Sequence, residues 1–195
     1  MVLTERFTQA FLFAHMLHLE QKRKGTETPY ISHLLGVSSL VLEHGGDEDQ
    51  AIAALLHDSI EDQGDTYVGG VEQLRKDIED EFGATVLRIV NGCTDADTVP
   101  KPPWKERKEA YIEHIQNAES DIRFVSCCDK LHNARAILTD YLAVGDNLWD
   151  RFNADKEDIL WYYRSLTDAF QEGGKSPLTE ELSRVVSELE SETLC

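Results

Sequence analysis

The chain has 195 residues, 41% hydrophobic and 29% charged, the balance of a folded globular protein long enough to bury a core of its own. Its 37 acidic residues against 19 basic ones leave a formal net charge of −18, which disfavours duplex DNA and anionic membranes as partners. No apolar run reaches membrane-spanning length, the N-terminus has the layout of neither a signal nor a transit peptide, and Cys93, Cys127, Cys128 and Cys195 form no C-x-x-C pair, so a cytoplasmic protein with reduced thiols is expected.

Thr4 caps a first helix in which Phe7, Ala10, Phe11, Ala14 and Leu17 recur at helical spacing. His15 and His18 on that helix read as packing or surface residues. The triplet Lys22-Arg23-Lys24 follows. Its plain reading is favourable charge at a helix C-terminus, its functional one a contact to an anion or a base. Pro29 and Tyr30 lead into Ser32-His33 and a helix carrying Leu34, Leu35, Val37, Leu40 and Val41, which Gly45-Gly46 stops. His33 falls in the first turn of that helix, where a lone histidine is more often structural.

Asp47 caps the helix that carries Ala53-Ala54-Leu55-Leu56-His57-Asp58-Ser59-Ile60-Glu61-Asp62, an apolar run that turns acidic. If the stretch stays helical, His57 lies beside Glu61 and Asp58 beside Asp62, and one helix end offers an imidazole and three carboxylates. Carboxylates that close repel one another, and a bound cation is the usual compensation. A solvated acidic helix end is the plainer alternative.

Residues 63–70 read as a loop, Val71 to Phe82 as a helix ended by Gly83, and Ala84 to Val90 as a short helix. Asn91 to Pro103 reads as a long irregular loop beside a pocket, and Trp104 to Ala118 as helix near a second basic cluster, Lys101, Lys105, Arg107 and Lys108. Ser120 caps a helix running to about Leu142. It contains Asp129 and, four residues on, Asn133; a carboxylate in so apolar a segment needs an ion pair, with Lys130 or Arg135, or a metal. Leu148 to Phe152 and Lys156 to Phe170 are further helices. Gly173 to Pro177 is a linker, and Leu178 to Leu194 is an acidic amphipathic helix that docks, pairs with a second copy or frays. The expected fold is all-α, about eight to ten helices, with one domain over residues 1–172 and the linker and last helix over 173–195.

His33, His57, Asp58 and Asp129 together give two imidazoles and two carboxylates, a nitrogen and oxygen set that suits a divalent ion such as Mn²⁺ better than structural zinc. The order H…HD…D resembles the signature of the HD phosphohydrolase superfamily. Pro29 to His33, Ala53 to Asp62, Phe82-Gly83, the loop from Thr94-Asp95 to Lys101, and Asp129-Lys130-Leu131-His132-Asn133 resemble more closely the hydrolase domain of RelA/SpoT-type alarmone enzymes and their compact relatives. That resemblance implies an HD fold. It also implies metal ligation by His33, His57, Asp58 and Asp129, catalysis by Glu61 and Asp62, and substrate contacts from Arg23, Lys24 and Asn133. The implied reaction is Mn²⁺-dependent hydrolysis of (p)ppGpp to pyrophosphate and GDP or GTP. Two departures touch substrate recognition: a shorter loop between Lys24 and Pro29, and Ala136 where long bacterial enzymes carry a hydroxyl residue. The competing expectations are an HD phosphohydrolase for another nucleotide (a 5′-nucleotidase or an NADPH phosphatase) and a non-catalytic helical module. A homo-oligomer formed through the C-terminal helices is a further expectation.

Overall fold

The computed structural model describes residues 2–95 and 100–193. Among the described residues there are ten α-helices and one 3₁₀ segment, and no strand beyond an isolated antiparallel bridge between Lys22 and Pro29. The fold is all-α, as the helical periodicity of the sequence implies. Ala96 to Val99, inside the expected pocket-side loop, together with Leu194 and Cys195 lie outside the described residues. No described helix is long and apolar enough to cross a membrane.

The chain divides into two compact units, residues 1–101 and 102–195. The first contains α1 (Glu5–Leu17), α2 (Ile31–Glu43), α3 (Glu48–Leu56), α4 (Ser59–Gln63), α5 (Gly70–Phe82) and α6 (Ala84–Cys93). Its centre is α3. Ala51, Ile52, Ala53, Ala54, Leu55 and Leu56 are all fully buried, so beyond its polar first turn the helix is apolar all round and surrounded, packing on α1, α2 and α6. Three alanines in six residues let neighbouring helix backbones come close. Asp47 and Gln50 fix the start of α3 by a reciprocal cap: the Asp47 N–H donates to Gln50 Oε1 and the Gln50 N–H to Asp47 Oδ1, both at 2.9 Å. Ser38 on α2 donates its hydroxyl to the Ala51 carbonyl at 3.0 Å, a buried tie between the two helices.

Two junctions depend on glycine. Gly83 ends α5 and begins α6 at φ +91°, a region closed to most side chains. Gly64, after α4, stands where an added Cβ would lie 2.6 Å from the Ile60 carbonyl oxygen and 2.7 Å from the Val71 side chain. The helix α6 also corrects one expectation. It runs through Asn91-Gly92 to Cys93, because Gly92 and Cys93 are buried, and the irregular segment starts only at Thr94.

The second unit contains α7 (Trp104–Asn117), α8 (Ser120–Val144), the 3₁₀ segment Gly145–Arg151, α9 (Lys156–Glu172) and α10 (Pro177–Thr193). Ser120 is the first helical residue of α8 and not its cap, a place Glu119 takes without a side-chain bond. The apolar stripe of α10, with Leu178, Leu182, Val186 and Leu189 buried, packs on α8 and α9. Arg164 on α9 and Arg135 on α8 anchor it through Glu190 and Glu181.

Two substitutions test the placement of α3 in urea unfolding. Leu56→Ala should lower stability by about 2–5 kcal/mol, because it empties a fully buried site, and Asp47→Ala by about 1 kcal/mol through loss of the cap. Leu35→Ala, on the exposed side of α2, should change it by less than about 0.5 kcal/mol.

Candidate metal centre

His33 and His57 reach a common point because the first turn of α2 and the last turn of α3 are packed side by side. Tyr30 accepts the His33 N–H on its carbonyl at 2.9 Å, which starts α2 two residues after Pro29. The stretch from Ala53 to Asp62 is not one helix. The α3 helix ends at Leu56, His57 and Asp58 form the step, and α4 begins at Ser59 with the Asp62 N–H bonded to the Asp58 carbonyl at 2.9 Å. Both residues of the step keep right-handed helical dihedrals, so the offset is small.

Three candidate ligand atoms converge there. His33 Nε2 and His57 Nε2 are 3.3 Å apart, His57 Nε2 and Asp58 Oδ2 3.0 Å, and His33 Nε2 and Asp58 Oδ2 3.5 Å. Donor atoms about 2.0–2.2 Å from one ion stand about 3.0–3.5 Å apart at right-angled to tetrahedral arrangement, so the spacing fits a single divalent cation. Both imidazoles are almost wholly buried, at 1% and 2% exposure, while Asp58 keeps an opening to solvent. His57 donates Nδ1–H to the Ala54 carbonyl at 2.8 Å, which fixes its tautomer and leaves the Nε2 lone pair turned to the other two. Tyr30 donates its hydroxyl to Asp58 Oδ2 at 2.6 Å and orients that carboxylate.

A polar layer surrounds the triad. The Tyr30 ring stacks on His18 with centroids 5.2 Å apart and meets His33 edge-on at 5.5 Å. His18 is 2% exposed; burial lowers its pKa against the hydrogen bond to Gln21, which raises it. Gln21 Nε2 donates to Asp62 Oδ2 at 2.7 Å, and Gln63 Nε2 donates to Gln21 Oε1 at 2.6 Å. Burial and the Asp58 charge, with a lesser push from Glu61, raise the Asp62 carboxyl to about 6 against the Gln21 hydrogen bond and Lys101. Asp62 is open to solvent by surface area, so the two neighbouring carboxylates are the firmer cause. Glu61 is held differently: Lys101 Nζ lies 2.7 Å from Oε1 and the Asp95 N–H 3.3 Å from Oε2.

The basic triplet sits on a short hairpin. Arg23 N–H donates to Thr28 O at 2.8 Å and Tyr30 N–H to Gln21 O at 2.9 Å. The Arg23 guanidinium lies over the Tyr30 ring, 5.9 Å from its centroid, and Lys24 is exposed on the following turn. Lys22 is paired with Glu27.

In the second unit Asp129 is 5% exposed on α8. Lys130 Nζ lies 2.6 Å from its Oδ2, and Asn133 Nδ2 donates to its Oδ1 at 2.6 Å. Arg135 instead pairs with Glu181. Burial works against the Lys130 charge, but Asp129, with Tyr111 and Tyr162 behind it, outweighs burial and holds its pKa well above the ordinary value. Burial, with the Asp129 charge, pushes the Cys127 thiol up to about 12, so it is an inert thiol and no ligand. Lys105 is paired with Asp158 and lies 3.1 Å from the Trp161 ring centroid.

His18, Gln21, Tyr30 and Gln63 are site-lining residues that the reading of single positions does not assign. His18 is buried and packed on Tyr30, in line with the packing reading, and adds a hydrogen bond to Gln21.

Comparison with known proteins agrees with this fold. Residues 10–159 match the family model described as HD domain. The chain is 40% identical over 130 residues to the guanosine-3′,5′-bis(diphosphate) 3′-pyrophosphohydrolase MESH1 of Xenopus tropicalis, covering 65% of this chain and 66% of that one. It is 37% identical over 126 residues to the protein of the same name from Homo sapiens, covering 63% and 64%. The matches thus span slightly under two thirds of these relatives' own length. A solved structure of a metazoan ortholog of SpoT, described as hydrolysing ppGpp and acting in starvation responses, superimposes with a TM-score of 0.76 at 23% identity, covering 96% of this chain and 97% of that one. With the helical fold, the His33/His57-Asp58 convergence and the matched segment in agreement, the chain belongs to the HD-domain family.

Proposed function

We propose that this chain is a Mn²⁺-dependent phosphohydrolase that removes the 3′-pyrophosphate of (p)ppGpp and leaves GDP or GTP. The observation that carries the reading is the convergence of His33, His57 and Asp58 with the carboxylates of Glu61 and Asp62 one turn further on. The names of the frog and human relatives support the choice of substrate.

His33, His57 and Asp58 would hold the cation; Asp129 is put forward as a further ligand by the resemblance of its motif alone, its oxygens meeting Lys130 and Asn133 on α8. When bound, a divalent ion supplies charge that polarises a phosphoryl oxygen and makes water more acidic. The carboxylates then divide the proton work. Asp62, open to solvent and held on one oxygen by the neutral Gln21 amide, is suited to accept a proton from the attacking water at the 3′-phosphorus. Glu61, held by Lys101 and the Asp95 N–H, is suited to orient the water or the leaving oxygen. Arg23 and Lys24 offer positive charge to the substrate's phosphates, or a guanidinium plane to its base, against the acidic background of the chain. The resemblance of its motif puts Asn133 forward for the ribose; on α8 its amide donates to Asp129 Oδ1.

The test is incubation of ppGpp with metal-stripped protein, with and without Mn²⁺, products being separated by anion exchange. GDP and pyrophosphate should appear only with Mn²⁺, and Asp58→Ala should lower the rate at least about a hundredfold. Intact ppGpp beside cleavage of another nucleotide by folded, Mn²⁺-loaded protein would move the substrate elsewhere in the family; no cleavage of any phosphate ester would make the chain a binding module. Asp62→Asn should lower kcat by about 10²–10⁴-fold, and more than Glu61→Gln does, with Mn²⁺ affinity retained in both. Equal losses in the two variants would refute the division of labour. Mn²⁺ at about 100 times its Kd should raise unfolding stability by about 2.7 kcal/mol, a gain visible in thermal melts and absent in His57→Ala.

A further inference from the structure

Gln21 carries no metal-ligand or acid–base chemistry, yet three side chains meet on its amide. Oε1 lies 2.6 Å from His18 Nδ1 and 2.6 Å from Gln63 Nε2, and Nε2 lies 2.7 Å from Asp62 Oδ2. An ionised Asp62 only accepts, so the group facing it must be the NH₂ end of the amide. The carbonyl end then accepts from Gln63 and from His18 Nδ1–H. That assignment leaves His18 Nε2 as a bare acceptor, and it is buried with no hydrogen-bond partner among the described residues. Turning the amide over would set its carbonyl oxygen against the Asp62 carboxylate and its NH₂ against the Gln63 donor. The backbone of Gln21 is fixed as well, its carbonyl accepting the Tyr30 N–H at 2.9 Å and its own N–H donating to the His18 carbonyl at 3.1 Å.

We propose that Gln21 is a positioning residue for Asp62, its amide locked in one orientation by His18 and Gln63. This rests on the reading of Asp62 as a reacting group. The consequence is directional. One oxygen of Asp62 is held by an N–H donor that cannot take its proton, which steers the carboxylate and leaves proton exchange to the other oxygen. His18 acts at one remove, through Gln21, and its stacking on Tyr30 joins this lock to the residue that holds Asp58.

The test compares Mn²⁺-loaded wild type with Gln21→Met, His18→Phe, Gln63→Leu and the Gln21→Met/His18→Phe pair in ppGpp hydrolysis. Gln21→Met should lower kcat about 10- to 100-fold, with KM and Mn²⁺ affinity within about threefold of wild type. His18→Phe keeps an aromatic ring on Tyr30 and should lower kcat less, and the double variant should be no slower than Gln21→Met alone. Losses that multiply in the double variant, or wild-type kcat in folded Gln21→Met, would overturn the proposal. If His18→Phe does not fold, Gln63→Leu removes the other donor to Oε1 and its pairing with Gln21→Met gives the same non-additivity test. The lock is also read without turnover, from the ¹⁵N-labelled Gln21 side-chain amide. One of its two protons should be shifted downfield in wild type and lose that shift in Asp62→Asn. The amide signature without ppGpp hydrolysis sinks the functional reading and keeps the lock; hydrolysis without the signature sinks the lock alone.

Discussion

His33 Nε2, His57 Nε2 and Asp58 Oδ2 are held within 3.5 Å of one another, and the packing of α3 enforces it. Electron-pair donors so close in a largely buried site gain little from one another, and a side chain free to move would separate them. They are not free. The α3 helix is buried on every side, and the Ala54 carbonyl holds the His57 ring in one tautomer. Tyr30, ahead of His33 in sequence, holds Asp58. A divalent cation would supply counter-charge here, and preorganised ligands bind it without the cost of ordering them.

Glu61 and Asp62 are neighbours in α4, and consecutive residues of a helix point about 100° apart. Glu61 therefore faces Lys101 while Asp62 faces Gln21. Two adjacent carboxylates thus acquire different surroundings: one beside an ammonium group, the other beside a neutral amide and the Asp58 charge. A difference of this kind is what divides acid and base roles between like residues at one site.

Much of this was legible in the sequence, for identifiable reasons. The helices of the first unit follow from hydrophobic periodicity bounded by Thr4, Asp47 and the glycines at 45 and 83, because caps and φ-positive glycines act locally. His57-Asp58 is an adjacent pair and stands out by itself. His33, 24 residues away, needed the motif order to be noticed, and the packing of α2 on α3 brings it to the pair. The step at His57-Asp58 was not legible, since both residues keep helical dihedrals and periodicity is blind to so small an offset. Nor was the run of α6 through Asn91-Gly92, where burial overrides a dipeptide that usually turns. His18, Gln21 and Gln63 escaped because their role is tertiary: a glutamine has no chemical signature until its neighbours decide which end of the amide faces which group. Of the two readings open to Asp129, a carboxylate in an apolar helix, the ion pair with Lys130 is formed on α8, and the metal reading rests on the motif order.

The most direct test of the metal centre counts nitrogen ligands. Electron spin-echo modulation of Mn²⁺ bound to the wild-type protein should show two imidazole nitrogens, and His33→Gln or His57→Gln should each remove one. Manganese bound tightly with no histidine nitrogen coupled to it, or with a pattern unchanged in both variants, would contradict the account.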